Sequence, residues 1–188
     1  MKKGSAARLA QGALIAALAY VGFQFLRFDI PVGPERTAIH LGNTFVILGA
    51  LLLGGWGGAA GAVGLTLADL TSGYVTSAPK TFILKLVMGA VAALVAKALS
   101  PRLREGPRGQ MRLAAAAAAA ALGLNVVLEP LFGYVYKAYL FGIPQDISAA
   151  LAKIGAGTTL VNAVISCAIT AALYPAICQA LEKTEGRR

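Results

Sequence analysis

The chain has 188 residues, of which 57% are hydrophobic and only 13% charged, with a mean hydropathy of +0.70. A soluble domain of this size has too little interior to bury so much apolar side chain, which excludes a soluble enzyme, a nucleic-acid-binding domain and a disulfide scaffold. The net charge of +9 is therefore topological, and its placement along the chain carries the information.

Six apolar blocks follow in order, each close to the length that crosses a bilayer. The first covers about 7–26, after the basic start Lys2, Lys3 and Arg8. Ala17-Leu18-Ala19 has the form of a signal-peptidase site, but the apolar run continues through Phe28, longer than a signal core, so a retained span is expected. The second covers about 38–54 and ends at Gly54-Gly55-Trp56-Gly57-Gly58; the third runs from about 59 to 73. The fourth starts after Pro79 and ends near Leu99, the fifth runs from Met111 to Pro130, and the sixth from about Ile154 to Ile177. The expectation is a single all-α integral membrane domain over 1–188 with six transmembrane helices. Cys167 and Cys178 both lie in the last block without metal-ligand spacing and read as small buried hydrophobes.

With both ends on one side, 11 of the 17 Lys and Arg fall on the side holding the termini, the 54–58 turn and the 99–112 loop. That bias places both termini in the cytoplasm. The outward connections at 27–37, 72–79 and 131–153 are longer and polar or aromatic, and long connections tend to be lids or binding elements. Function is expected on the outer side.

Polar side chains at membrane depth are costly and need a partner or a purpose. Asn125 and Glu129 are four apart on one face of the fifth helix, Glu129 near its outer end, with Tyr134, Tyr136, Lys137 and Tyr139 following. Thr81 and Lys85 are four apart in the fourth span, behind Lys80. Asp69 ends the third span ahead of Tyr74, and Asn162 lies inside the sixth, about a dozen ångströms from Lys153. Carboxylates, amides, lysines and aromatics from several helices thus converge at one depth, as a pocket for a small polar heteroaromatic requires. The expected substrate-binding set is Asp69, Tyr74, Lys80, Lys85, Asn125, Glu129, Tyr134, Tyr136 and Asn162. The structural alternative makes Asp69–Lys85 or Glu129–Lys80 ion pairs, and gives Asn125 or Asn162 a bond to a neighbouring helix. His40 is expected at the boundary of the second span.

Small residues form a second pattern. Ala6/Ala10 and Ala13/Ala17 on the first helix, and Gly54/Gly58 and Gly57/Gly61, have the spacing that lets helix backbones approach, within the chain or against a partner. No P-loop, HExxH, GxSxG or Cys/His cluster is present, so no cofactor or metal motif and no catalytic set emerges. A six-span protein with an outward pocket and no energy-transducing motif needs a partner to drive transport.

Asp69-Leu-Thr-Ser-Gly-Tyr74, followed by Ala78-Pro-Lys-Thr-Phe-Ile-Leu-Lys85 and Gly89, with the alanine-patterned first helix and the Gly-rich turn after Leu53, resembles the substrate-binding S components of energy-coupling factor (ECF) vitamin transporters, and within them the riboflavin-type or uncharacterised subfamily. The resemblance covers nearly the whole chain. It implies a multi-pass subunit of a prokaryotic cytoplasmic membrane that captures a vitamin or precursor in an outward pocket, formed by the later helices and capped by the loop Asp29 to Thr37. It further implies docking on a transmembrane coupling protein that carries two cytoplasmic ATPases, through the alanine positions Ala13 and Ala17, or Ala6 and Ala10. Pyridoxine-like or hydroxymethylpyrimidine-like ligands rank first and riboflavin second. The competing expectations are a small intramembrane enzyme using Asp69 or Glu129, and a self-sufficient oligomeric carrier or channel assembled through Gly54–Gly61.

Overall fold

A computed structural model describes residues 4–32, 35–103 and 105–186. Lys2, Lys3, Arg104, Arg187 and Arg188 of the charge count, and Gly33 and Pro34 of the expected lid, lie outside the described residues. The elements run α1 (Ser5–Gln24), β1 (Arg27–Val32), β2 (Glu35–His40), α2 (Gly42–Leu53), α3 (Gly55–Thr71), a 3-10 turn (Val75–Ser77), α4 (Ala78–Leu103), α5 (Gly106–Val135), a π turn (Tyr136–Leu140) and α6 (Gln145–Glu185). Among the described residues, four helical stretches are long and apolar enough to cross a membrane: Ser5–Gln24, Val75–Leu103, Gly106–Leu140 and Gln145–Thr184. At ~1.5 Å per residue, α2 reaches about 18 Å and α3 about 25 Å, short of a ~30 Å hydrocarbon core, so the expectation of six full spans reduces to four with two shorter helices.

Three further boundaries differ from the expectation. The chain is not all-α, because 27–40 forms an antiparallel hairpin pairing Phe28 with Ile39 and Ile30 with Thr37. The apolar–polar alternation Phe28-Asp29-Ile30 is the strand period, hidden at the end of a long apolar run. The Gly-rich stretch at 54–58 is a turn only at Gly54, whose φ of +67° needs a glycine; Gly55–Gly58 opens α3. The 131–153 connection is mostly helical. α5 passes through Pro130 to Val135, and α6 starts at Gln145 with Asp146 in its first turn, where a carboxylate meets the positive end of the helix dipole. A proline inside a membrane helix removes one backbone bond without ending the helix when its neighbours pack around it.

The glycines of α3 bring the helices together. A Cβ on Gly57 would run into the Gly49 carbonyl, 2.5 Å from its carbon; one on Gly58 would sit 2.7 Å from Gly89 Cα, and one on Gly61 2.8 Å from Val46 Cα. The faces of Gly57, Gly58 and Gly61 are therefore filled by this chain's own helices, which leaves the oligomeric carrier without most of its proposed seam. Trp56, in the first turn of α3, donates from Nε1 to the Arg8 carbonyl at 3.1 Å and lies over Gly12, pinning the start of α1. The core around Val46, Ile47, Leu65, Met88, Ala118 and Leu122 is packed through alanines that allow this close approach. Cys167 and Cys178 are free thiols and half-buried rather than fully buried.

Candidate substrate-binding site

A cavity of about 160 Å³ lies where the C-terminal end of α3, the N-terminal end of α4 and the C-terminal end of α5 meet the hairpin and α6. Seven of the nine expected site residues line it: Asp69, Tyr74, Lys80, Lys85, Asn125, Glu129 and Asn162. The i, i+4 spacing of Asn125 and Glu129 puts both on the cavity face of α5. Tyr134 does not reach it. At about 100° per residue Gly133 stays near the Glu129 face, while Tyr134 is turned about 140° from it. Tyr136 borders a second, outer chamber of about 350 Å³, where its ring meets Phe141 edge-on at 5.2 Å.

The cavity's charges are mostly engaged. Lys80 on α4 makes an ion pair with Glu129 on α5, and Lys85 Nζ donates to Asn125 Oδ1 at 3.3 Å. Asp69, 4% exposed, has Thr81 of α4 beside its carboxylate. Two amide atoms are left over: Asn43 Oδ1 and Asn125 Nδ2 are buried with no hydrogen-bond partner among the described residues, although both side chains line the cavity. An orphaned buried polar atom costs about 1–3 kcal/mol, which a ligand group filling the space recovers. One orphan is an acceptor and the other a donor, so the site is set for a ligand with both functions.

The hairpin closes the cavity from outside, and α6 holds it. Asn162 Oδ1 accepts from the His40 N–H at 2.8 Å, and Nδ2 donates to the Ala38 carbonyl at 2.9 Å. The side-chain amide thus pairs with β2 as a neighbouring strand would, and Asn162 acts through the hairpin. The structural alternative gave Asn125 or Asn162 a bond to a neighbouring helix: Asn125 has one, from Lys85 of α4, whereas Asn162 bonds strand backbone. His40 ends β2 two residues before α2, at the boundary expected for it, and it also lines the cavity. Its Nδ1 accepts from the Gly42 N–H at 3.1 Å, so the ring proton sits on Nε2, and burial together with nearby Lys85 lowers its pKa to about 3. Phe23 of α1 packs on His40 at 4.6 Å and meets Tyr74 edge-on at 5.8 Å.

Beyond its pairing with β2, β1 is held by side chains. Tyr74 donates to Asp29 Oδ1 at 2.9 Å, and Arg27 lies 3.4 Å from the same carboxylate with its guanidinium over the Phe23 ring. Burial and the bond to Asp29 raise the Tyr74 phenol above its usual range, so it stays a donor at any physiological pH. Replacing Asn162 by Ala is expected to free the His40 amide and the Ala38 carbonyl of β2. Hydrogen exchange at His40 should quicken by about tenfold or more while the α4–α5 amides are unchanged. Equal exchange in both proteins would return Asn162 to a direct ligand role.

Sequence reading missed Asn43, Phe23 and the engagement of His40. Asn43 lies in the first turn of α2, and a polar side chain just ahead of the apolar run Phe45-Val-Ile-Leu48 was a signal of a buried role. Thr158, Thr159 and Asn162 share one face of α6 by their i, i+3 and i+4 spacing, and all three line the cavity.

The family model for the ECF-type riboflavin transporter S component matches residues 3–180. A solved structure described as "Structure and mechanism of the S component of a bacterial ECF transporter" superposes with a TM-score of 0.61 at 17% identity, over 95% of this chain and 99% of that one. No curated protein matches the chain. At that identity the structural likeness speaks for the fold, and the family match extends it to the sequence of nearly the whole chain. With its apolar helices and a lidded cavity bordered by buried amides, the chain belongs to the S-component family of ECF-type riboflavin transporters, membrane-embedded substrate-binding subunits rather than enzymes.

Proposed function

We propose that this subunit captures riboflavin at the outer face of a prokaryotic cytoplasmic membrane and delivers it through a coupling protein driven by two cytoplasmic ATPases. The orphaned amide pair is the observation that carries the ligand assignment. A flavin ends in a carbonyl, imide N–H, carbonyl edge, an acceptor–donor–acceptor set. Asn125 Nδ2 and Lys85 offer donors and Asn43 Oδ1 an acceptor, the complementary set, in one cavity. Phe23, Tyr74 and His40 supply aromatic surface beside it. The description of the matching family points the same way and moves riboflavin ahead of the one-ring candidates. A pyridoxine- or hydroxymethylpyrimidine-like ligand is the second reading, favoured by the 160 Å³ of the inner cavity, small against the usual range of about 300–1,000 Å³. A flavin would extend into the outer chamber. Titration calorimetry with riboflavin, pyridoxine and hydroxymethylpyrimidine decides between the readings: riboflavin alone should saturate the site, and saturation by a one-ring compound with no riboflavin binding would reverse the order.

Both termini are assigned to the cytoplasm on the Lys/Arg bias, and α1 presents the partner surface. Ala6, Ala10, Ala13 and Ala17 are all exposed, with Leu9, Leu14 and Leu18 beside them, so none of the described helices covers the stripe. Ala13→Trp or Ala17→Trp is expected to leave riboflavin affinity within about twofold while reducing uptake with the coupling complex by about tenfold or more. Equal loss of binding and uptake would mean that the stripe serves the fold instead.

A further inference from the structure

An open groove of about 610 Å³ runs between α2 and α4, apart from the ligand cavity. Its walls are Ala50 and Leu51 of α2 with Ala90, Ala93 and Leu94 of α4. The space is left because α2 stops at Leu53 while α4 continues to Leu103, and because Gly54 and Gly55 at the turn have no side chains to fill it. From Ala90 to Ser100 it follows about 15 Å of α4 at ~1.5 Å per residue. Its chemistry changes along that length. Lys97 and Ser100 border one end, and the exposed Arg102 follows on the last turn of the helix. No carboxylate is among the lining residues, and Lys97 has no ion-pair partner among the described residues. Gly55 opens α3 at this end of the groove without a side-chain cap, so the positive end of that helix dipole adds to the same field.

We infer that the groove binds an anionic phospholipid of the cytoplasmic leaflet, with an acyl chain along its alanines and the headgroup phosphate against Lys97 and Ser100. An apolar trough that ends in a cation and a hydroxyl repeats the order of chemistry along a phospholipid. The assignment of both termini to the cytoplasm puts the C-terminal ends of α2 and α4 on the inner side, where such a headgroup lies. A helix of the coupling protein is the poorer occupant. α1 and α4 pack on different faces of α3, Gly64 against Ala16 and Gly58 against Gly89, about 120° apart at ~100° per residue. The groove therefore stands away from the alanine stripe of α1. The lipid site depends on this topology and is the same whichever ligand fills the cavity.

The test titrates the full chain in neutral detergent with phosphatidylglycerol and with phosphatidylcholine of the same acyl chains, followed by native mass spectrometry. The wild type is expected to bind phosphatidylglycerol about tenfold more tightly than phosphatidylcholine, and raised salt should narrow the gap. In Lys97→Gln the preference should fall by about fivefold. Ala90→Phe, which fills the trough, should weaken both lipids by about tenfold or more. Both positions are exposed, so the core is untouched, and riboflavin affinity should stay within about twofold in each variant. Glycerol 1-phosphate, which carries the phosphate without the chains, should not displace the lipid; displacement would mean a site for a free anion instead. Equal affinity for the two lipids in the wild type, or an unchanged preference in Lys97→Gln, would overturn the lipid site. So would an Ala90→Phe protein that holds lipid as before but loses uptake with the coupling complex, which would give the groove to that partner.

Discussion

Glu129→Ala is expected to destabilise the protein by about 3–5 kcal/mol, because it leaves the Lys80 ammonium unpaired where only 11% of its side chain is exposed, with the buried Lys85 nearby. The thermal midpoint in detergent should fall by roughly 10 °C. The cost comes from stranding a charge, not from losing a favourable bond. Lys80→Leu combined with Glu129→Leu is therefore expected to recover most of the stability. Ligand binding should not recover in the double variant, since both side chains line the cavity. A double variant as unstable as the single one would show that Glu129 is needed for more than neutralising Lys80, and a stable Glu129→Ala protein would remove the ion pair from the account.

Gly57→Ala is expected to cost about 3 kcal/mol, at the upper end of overpacking effects. The added methyl would run into the carbonyl oxygen of Gly49 and lie 2.5 Å from its carbon, and backbone atoms cannot rotate away as a side chain can. The helices α2 and α3 would have to separate, which also shifts Asn43 at one end of α2 and Asp69 at the far end of α3. Gly123→Ala is the matching control. A methyl group there would meet nothing within 4 Å and the residue is exposed on α5, so the same substitution should be neutral or stabilising by up to about 1 kcal/mol. Thermal unfolding of the two variants side by side checks the pair. Equal midpoints would mean that the close approach of α2 and α3 does not limit stability.

The helices were legible in the sequence because apolar blocks in a small chain have few alternatives, and the site was legible because polar groups at depth are expensive. Asp69, Lys85, Asn125 and Glu129 were found by that argument alone, and they meet in one cavity. The rest depended on contacts that local spacing does not encode. Asn162 bonds to Ala38 and His40, more than 120 residues away, so its role as a strand partner has no local signature. The outer ends of α5 and α6 carry Pro130, Lys137, Asp146 and Lys153, which read as loop chemistry. Packing keeps them helical, and the register of α5 then turns Tyr134 off the site. The hairpin was masked because its first strand continues the apolar run of α1 with only Arg27 and Asp29 to interrupt it.

The central claim is that this chain by itself holds a small vitamin-like ligand in the cavity between α3, α4, α5 and the hairpin. Native mass spectrometry of the detergent-purified protein, with identification of whatever small molecule it releases, tests this most directly. One ligand per chain is expected, with riboflavin recovered from the protein or bound after incubation, and loss of that adduct in Asn125→Ala. A protein that stays empty through a panel of riboflavin, pyridoxine and hydroxymethylpyrimidine would contradict the claim.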